Sequence, residues 1–213
     1  MQILLVAATE LEIAPLLKKK PAADFLITGV GCPAAIYHLT KRLHQIDYDL
    51  VIQVGIAGSF KGSLQLGDVV LVKQDNFADI GISEKDQFYT IFEKDLADEN
   101  TFPFNKGWLD NNGEFMDLFS LPHVKAVTVN TVTDNEKHAR QLISKFDPDI
   151  ESMEGAGLHY VCLQENVSFI QLRAISNYVG ERDKVKWKMN EAIDNLNEEL
   201  IKILDRLVTS KLK

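Results

Sequence analysis

Short apolar runs and helical patterns alternate along the chain. Six runs stand apart, and a turn or helix signal follows each of them: 3–8, 25–28, 50–54, 69–72, 124–129 and 169–175. Most of the runs are continuous, which is typical of strands that are buried on both faces. Apolar residues recur at helical spacing between residues 35 and 46 and again between residues 193 and 207. This alternation predicts an α/β fold with helices on both faces of one sheet.

Residues 76–121 interrupt the alternation. The segment mixes Asp, Asn and Gly with aromatic side chains that we expect to be exposed, namely Phe88, Tyr89, Phe92, Phe102, Phe104 and Trp108. A long irregular connection in a compact domain is typically a functional loop or interface material. A surface insertion that packs on itself is the other interpretation, and the pattern leaves both open.

Length, composition and charge narrow the class of protein. The 213 residues, 46% hydrophobic and 25% charged, predict a single domain over 1–213 whose core needs no disulfide or metal. The net charge of −8 argues against nucleic acid as a partner, because phosphate neutralisation needs surplus Lys and Arg. Two cysteines form no disulfide framework, no apolar run is long enough for a membrane span, and the first residues lack signal-peptide features. We expect a soluble cytoplasmic enzyme with no membrane partner.

Candidate site residues come from the strand ends, because ligands in open α/β sheets bind beyond the carboxyl ends of the strands. Glu12 follows the first run and is either the acid of a capping box with Thr9 or a functional carboxylate. Glu154 lies before an apolar helix; buried, it needs a partner such as a ligand hydroxyl, and otherwise it is a solvated turn residue. Asn177 follows the last run and offers the donor and acceptor that read a base edge, or else it caps a helix.

Glycine-rich turns follow the second and third runs. Residues 29–33 hold a GxG without the rest of a dinucleotide fingerprint, which argues against a Rossmann oxidoreductase and leaves a tight strand-to-helix turn. Residues 55–59 and 67–68 would let a ligand approach the backbone, although 67–68 is equally a turn before the next strand. No pair of histidines has metal-ligand spacing, so we expect no metal site. Cys162 lies on an apolar helical face, which predicts a core position.

Taken in order, four motifs resemble those of the nucleoside phosphorylase and nucleosidase family: Glu12, Gly55-x-Ala57-Gly58 with Gly67-Asp68, Ser152-Met153-Glu154 and Ser176-Asn177. The resemblance runs through nearly the whole chain and implies a three-layer αβα fold with a mixed central sheet. It also implies a cofactor-free enzyme and a homo-oligomer, at least a dimer, in which a neighbour's aromatic side chain often completes the pocket. Finer similarity, to the branch that acts on futalosine in menaquinone biosynthesis, lies in residues 102–104, 173–179, 182–183 and 187.

The resemblance assigns roles to individual residues. Glu12 would be the general base that activates water against the ribose anomeric carbon, and Asn177 would contact the departing purine. Glu154 would accept hydrogen bonds from ribose hydroxyls. The other implied substrate-binding residues are Met153, packed on the sugar, and Ile56, Ala57, Gly58 and Val132. Futalosine also carries a benzoate carboxylate, for which Arg182 is a hypothetical partner; a surface salt bridge with Asp183 or Glu181 is the alternative.

Two departures from the family pattern sharpen the predicted activity. Adenine-releasing relatives carry an Asp in place of Asn177 and a second glutamate in place of Ser152, so a 6-oxopurine is favoured as the leaving base. No arginine is near residues 55–59 in the sequence, which favours hydrolysis over phosphorolysis. The sequence therefore predicts hydrolysis of the N-ribosidic bond of futalosine with release of hypoxanthine. The alternatives are a nucleosidase that releases adenine from methylthioadenosine, S-adenosylhomocysteine or aminofutalosine, and a non-catalytic nucleoside-binding protein.

Overall fold

The computed structural model of the protein describes residues 1–85 and 87–209, so residue 86 of the predicted insertion and residues 210–213 of the predicted domain lie outside it. The described strands are β1 (Ile3–Ala7), β2 (Asp24–Ile27), β3 (Leu50–Ser59), β4 (Val69–Asp75), β5 (Gly81–Glu84), β6 (Gln87–Thr90), β7 (Leu109–Asp110), β8 (His123–Thr128), β9 (Ile150–Ser152) and β10 (Phe169–Tyr178). The α-helices are α1 (Glu10–Leu17), α2 (Cys32–Leu43), α3 (Glu136–Phe146), α4 (Gly155–Gln164) and α5 (Met189–Thr209). Each of the six predicted runs forms a strand.

The central sheet is mixed and partly closes on itself. Its strand order is β10-β4-β8-β9-β3-β1-β2, and β10 also pairs with β3. Strand β3 is parallel to β1 and β10 and antiparallel to β9, while β4 is antiparallel to β10. The carboxyl ends of β1, β3 and β10 therefore lie at the same edge of the sheet.

Two helical layers cover the sheet. Helices α1 and α5 pack together on one face, and α2 packs with α4 on the other. Strand β3 alternates between these layers, since Ile52 belongs to the apolar cluster with α5 whereas Val51 belongs to the cluster with α2 and α4. The predicted three-layer αβα fold with a mixed sheet is confirmed.

The predicted irregular insertion contains regular structure. Strands β5 and β6 form an antiparallel hairpin, and β7 adds to β4 at the edge of the main sheet. Two of the rings expected to be exposed pack against others: the Phe92 ring lies edge to face with Phe104, with centroids 5.3 Å apart, and the Phe104 ring is tilted against Tyr160 on α4 at 6.1 Å. Phe102 stays 65% exposed. The expectation of irregular chain was wrong for these parts, because pairing with β4 and stacking on α4 are long-range contacts that no local pattern records.

No described helix is both long and apolar enough to cross a membrane. Both cysteines are free and buried, and Cys162 packs in the apolar cluster between α2 and α4 as its helical position predicts. Candidate site residues lie at or after the carboxyl ends of β1, β3 and β10, which share one edge of the sheet.

Candidate active site

Glu12 lies in the first turn of α1, directly after β1, and its carboxylate is 7% exposed. Its Oε2 accepts hydrogen bonds from the backbone N–H of Thr9 at 2.9 Å and from the Thr9 hydroxyl at 3.0 Å. Its Oε1 accepts from the backbone N–H of Ile56 at 3.2 Å. Glu12 therefore caps the helix, as one interpretation of the sequence held, and also reaches the end of β3, as the other requires.

A buried arginine lies over the end of β3. Arg173 of β10 stands directly opposite Gly55 of β3 in the parallel register. A Cβ on Gly55 would come 2.2 Å from Arg173 Nη1 and 2.9 Å from Glu12 Oε1. A side chain at this position would therefore have to displace the ends of Arg173 and Glu12, which lie on either side of it. Arg173 is 1% exposed, and its Nη2 donates to Gln53 Oε1 at 2.8 Å.

Glu154 forms an ion pair with the same guanidinium. It precedes the first residue of α4 and is 6% exposed, so it is not the solvated turn residue of the alternative interpretation. Its Oε1 accepts from the backbone N–H of Gly31 at 2.9 Å, and its Oε2 lies 3.9 Å from Arg173 Nη1. Two carboxylates far apart in the sequence thus lie near one buried positive charge, and it is Glu154 that is within ion-pair distance of it.

Asn177 lies near the end of β10, two positions beyond the level of Ile56, and pairs with Gly58 across a bulge at Ser176. Its Oδ1 accepts from the Ser176 hydroxyl at 2.9 Å, and its Nδ2 donates to the Tyr178 carbonyl at 3.1 Å. Since Asn177 belongs to a strand, its interpretation as a helix cap is wrong. The side chain is half-buried at the same edge as the two glutamates.

The remaining predicted residues surround this edge unevenly. Ile56, Ala57 and Gly58 form the end of β3 beside Asn177, and Met153 is half-buried next to Glu154. Val132 is half-buried in the loop between β8 and α3.

Arg182 is exposed in the loop after β10. Its guanidinium lies 5.5 Å from the centre of the Trp187 ring. Glu181 pairs with Lys186 instead, and among the described residues no salt bridge joins Arg182 to Glu181 or Asp183. The structure therefore gives Arg182 an aromatic partner and leaves its guanidinium at the surface.

A neighbouring acid is also buried. Glu151 of β9 stands opposite Gly58, and its two oxygens accept from the backbone N–H of Thr133 at 3.0 Å and from the Thr133 hydroxyl at 2.5 Å. Burial raises the pKa of the Glu151 carboxyl, while the Thr133 hydrogen bonds and the nearby charges of His138 and Arg182 oppose that rise. Within residues 1–85 and 87–209 no group of three His, Cys, Asp or Glu side chains is arranged to hold a metal ion.

Comparison with known proteins identifies the family. Residues 25–209 match the model of the phosphorylase superfamily. The chain belongs to this superfamily. A futalosine hydrolase of Thermus thermophilus is 29% identical over 216 residues that cover 94% of each chain. A futalosine hydrolase of Acidothermus cellulolyticus is 30% identical over 187 residues, which cover 82% of this chain and 72% of that one. The family and branch predicted from the ordered motifs are confirmed.

The fold of the superfamily is also found in solved structures. A Helicobacter pylori MTAN mutant with 5'-methylthioadenosine in its active site superposes with a TM-score of 0.81 at 16% identity, covering 96% of this chain and 98% of that chain. This likeness shows the fold and agrees with the three-layer architecture described above.

Arg173 is among the residues that carry the resemblance, but the sequence pattern assigns it no role at this edge. No arginine is near the third-run glycines in the sequence, yet Arg173 lies opposite Gly55, because parallel pairing brings β10 beside β3. A signal was present: Gln171 and Arg173 are polar residues two apart inside an otherwise apolar run. Polar residues on one face of a buried strand need hydrogen-bond or charge partners, so such a pattern indicates a polar cluster or a binding site on that face.

Proposed function

We propose that the chain is a nucleosidase that hydrolyses the N-ribosidic bond of futalosine and releases hypoxanthine. The observation that carries the proposal is the convergence of Glu12 and Glu154 on Arg173, at the edge that also holds Asn177. The similarity to two futalosine hydrolases over most of the chain supports futalosine as the substrate. The reaction would then belong to menaquinone biosynthesis, as the resemblance implies.

Glu12 is suited to hold one water molecule. Its Oε2 already accepts two hydrogen bonds from Thr9, so both acceptor positions of that oxygen are filled. Among the described residues, Oε1 accepts one bond, from Ile56, and keeps one position on the side where Arg173 lies. A water bound there would donate a proton to Glu12 and present its oxygen to the ribose anomeric carbon. General base catalysis of this kind typically contributes about 10²–10⁴-fold.

Glu154 is suited to the sugar. Its backbone hydrogen bond from Gly31 fixes Oε1, while Oε2 faces Arg173 at an ion-pair distance and keeps acceptor positions for ribose hydroxyls. The buried positive charge of Arg173 offsets the cost of burying both carboxylates. Two carboxylates and one guanidinium leave a net negative charge beside the sugar. This charge stabilises the positive charge that develops on the ribose in an oxocarbenium-like transition state.

Asn177 is suited to a 6-oxopurine. One N–H of its amide donates to the Tyr178 carbonyl, and one acceptor position of its oxygen takes the Ser176 hydroxyl. The amide therefore keeps one donor and one acceptor for a ligand. The donor matches a purine O6 and the acceptor matches a protonated N7. An amide cannot protonate N7 as a carboxylic acid can, so adenine is a poorer leaving base at this position.

The surroundings of Arg173 favour water over phosphate as the nucleophile. Glu154 pairs with the guanidinium and Glu12 lies near it, so a phosphate ion bound to Arg173 would meet both carboxylates. Like charges at such distances repel strongly in a low-dielectric site. Hydrolysis is therefore the reaction we propose.

We also propose that the protein acts as a homo-oligomer in the cytoplasm. Several large apolar side chains are strongly exposed for a monomer: Leu96 and Phe102 at 65%, Tyr37 at 61% and Val30 at 60%. Val30 directly precedes Gly31, which binds Glu154, so a second copy would complete the site. Two free buried cysteines suit a reducing compartment.

Product analysis tests the function. The protein is incubated separately with futalosine, inosine and methylthioadenosine, with and without phosphate, and the released bases are separated by chromatography. We expect hypoxanthine from futalosine, independent of phosphate. Adenine from methylthioadenosine would favour the alternative function, an adenine-releasing nucleosidase. A solved structure with the same fold holds 5'-methylthioadenosine in its active site, which is why this substrate is included. Phosphate dependence would contradict hydrolysis, and binding without any product would indicate a nucleoside-binding protein.

A further inference from the structure

A second polar cluster lies beneath the proposed site, between the sheet and α4. It contains Asp75 at the end of β4, Gln171 on β10 and His159 on α4, each 0% exposed. A Cβ on Gly155 would come 2.2 Å from Asp75 Oδ2 and 2.1 Å from Gln171 Nε2. Asp75 and Gln171 therefore face each other across a glycine that leaves them room. The proposed reaction uses none of these groups.

One half of the cluster has clear hydrogen bonds. Asp75 Oδ1 accepts from the Thr128 hydroxyl at 2.9 Å and from the Asn76 backbone N–H at 2.8 Å. His159 Nδ1 lies 3.0 Å from the Leu109 carbonyl oxygen. Because a carbonyl oxygen only accepts, Nδ1 carries a proton and the neutral ring presents Nε2 as an acceptor.

The other half lacks partners in hydrogen-bonding geometry. Within the part of the chain that the structure describes, this holds for Asp75 Oδ2, both amide atoms of Gln171 and His159 Nε2. The Gln171 amide is nevertheless close enough to the Asp75 carboxyl and the His159 ring to influence the pKa of each. An amide N–H directed at an ionised Asp75 would leave the amide oxygen against Nε2, acceptor against acceptor. Rotating the amide by 180° satisfies the ring but sets its oxygen against the Asp75 carboxylate.

One added proton resolves this conflict. We propose that Asp75 is held as the neutral carboxylic acid, its Oδ2–H donating to Gln171 Oε1 while Gln171 Nε2 donates to His159 Nε2. Once the Gln171 amide closes on its two neighbours, the chain of bonds ends at the Leu109 carbonyl and each of the four unpaired atoms has a partner. An ionised Asp75 with a charged His159 would have the same proton count, but it would place two charges in a fully buried cluster, which is far costlier.

The charges around Asp75 agree with this assignment. The groups that interact with it are Thr128 from β8, the Asn76 backbone N–H, Gln171 and Arg173 from β10 and Cys32 from α2. From α4, His159 interacts with Gln171 and Glu154 pairs with Arg173. Arg173 is the one cation in this set, and Glu154 already pairs with it. Burial raises the pKa of Asp75 to about 7, against hydrogen bonding by Thr128 and the charge of Arg173, and burial lowers the pKa of His159 to about 4.

A neutral Asp75 is a positioning residue for the site. It leaves the charge of Arg173 to the two glutamates, whereas an ionised Asp75 would draw the guanidinium toward β4 and away from them. This part of the inference depends on the proposed function. The protonation state itself does not, so the two are tested separately.

Infrared spectroscopy tests the protonation state without any substrate. With ¹³C-labelled aspartate, wild-type protein at about pH 6 should show the carbonyl band of a protonated carboxylic acid, because the folded pKa of Asp75 is about 7. The band should be absent from Asp75→Asn and should fade as the pH rises past 7. A wild-type spectrum without an acid band at pH 6 would overturn the proposal, because an ionised Asp75 lacks that band whether or not His159 is charged.

Stability measurements provide the second test. The pKa of Asp75 is higher folded than unfolded, so its contribution to stability is full at low pH and is lost as the pH rises to about 7. Asp75→Asn mimics the neutral acid and lacks this loss. Between about pH 5 and 7 the folding equilibrium constant of the variant relative to wild type should therefore rise, by up to about tenfold per pH unit. The exposed Asp47→Asn is the matched control and should give a flat ratio. A flat ratio for Asp75→Asn, or a variant that fails to fold, would contradict a neutral Asp75.

Activity tests the link to Arg173. If the protein hydrolyses futalosine, wild-type kcat/KM should decline as Asp75 ionises above about pH 7, and Asp75→Asn should keep its rate there. Parallel profiles would overturn the positioning role. If no nucleoside is hydrolysed by either protein, the proposed function fails while the infrared and stability results still decide the protonation state.

Discussion

The two faces of the central sheet differ in the residues that β3 and β10 bury on them. Toward α1 and α5, Ile52 of β3 and Leu172 of β10 join one apolar cluster. Toward α2 and α4, the neighbouring positions on these strands are Gln53, Gln171 and Arg173, all buried. Because successive strand residues point to opposite faces, one strand supplies stability on one side and chemistry on the other.

The free-energy cost of burying these polar groups therefore falls on the α4 face of the sheet. Buried apolar area stabilises the α5 side directly, while each buried polar group on the α4 side costs free energy unless it is paired. The protein meets that cost with hydrogen bonds and with glycines at the points of closest approach, Gly55 and Gly155. Substitutions on the two faces should therefore separate stability from activity.

The largest effect is expected at Glu12, where the two layers meet. Glu12→Gln removes the proposed base but keeps a side chain that can cap α1, so kcat should fall by about 10²–10⁴-fold while substrate binding persists. Steady-state kinetics and ligand titration measure the two quantities. The neighbouring exposed Glu10→Gln should leave both unchanged. A near-native rate for Glu12→Gln would restrict Glu12 to its capping role.

On the apolar face, Leu172→Ala should lower stability and spare the chemistry. Leu172 is 0% exposed, and truncating a buried leucine typically costs about 2–5 kcal/mol of unfolding free energy. Denaturant unfolding measures the loss, and kcat measured well below the melting temperature should stay within a few-fold of wild type. A large drop in the kcat of folded protein would show that the faces are coupled.

On the polar face, Gly55→Ala should do the reverse. The new Cβ would displace Arg173 Nη1 and Glu12 Oε1, both ends of side chains, so the fold should survive at a cost of about 1–3 kcal/mol. A misplacement of about 1 Å in a catalytic group can cost 10²-fold, so kcat should fall by about ten- to a hundredfold. Gly62→Ala, where no atom lies within 4 Å of the new Cβ, is the control. Unchanged kcat in Gly55→Ala would mean that Arg173 and Glu12 do not act together.

The same contrast explains what the sequence could predict. Apolar runs predicted the sheet, the layers and the strand ends at which Glu12, Glu154 and Asn177 lie, because those positions follow from local pattern. Arg173 and Asp75 depend on which strands become neighbours, and on the register that sets Arg173 opposite Gly55. The hairpin of β5 and β6 and the stacking of Phe104 on α4 are likewise long-range results that no window of sequence contains.

The smallest expected effect tests how far the polar face extends toward solvent. The Arg182 guanidinium is exposed over Trp187 and is the proposed partner of the futalosine carboxylate. An exposed ion pair is worth at most about 1 kcal/mol, so Arg182→Ala should raise the KM for futalosine about three- to fivefold without changing kcat. The KM for inosine, which lacks the carboxylate, should not move, and Lys184→Ala in the same loop should alter neither. Equal changes for both nucleosides would mean that Arg182 orders the loop through Trp187, and an unchanged KM for futalosine would exclude it as the carboxylate's partner.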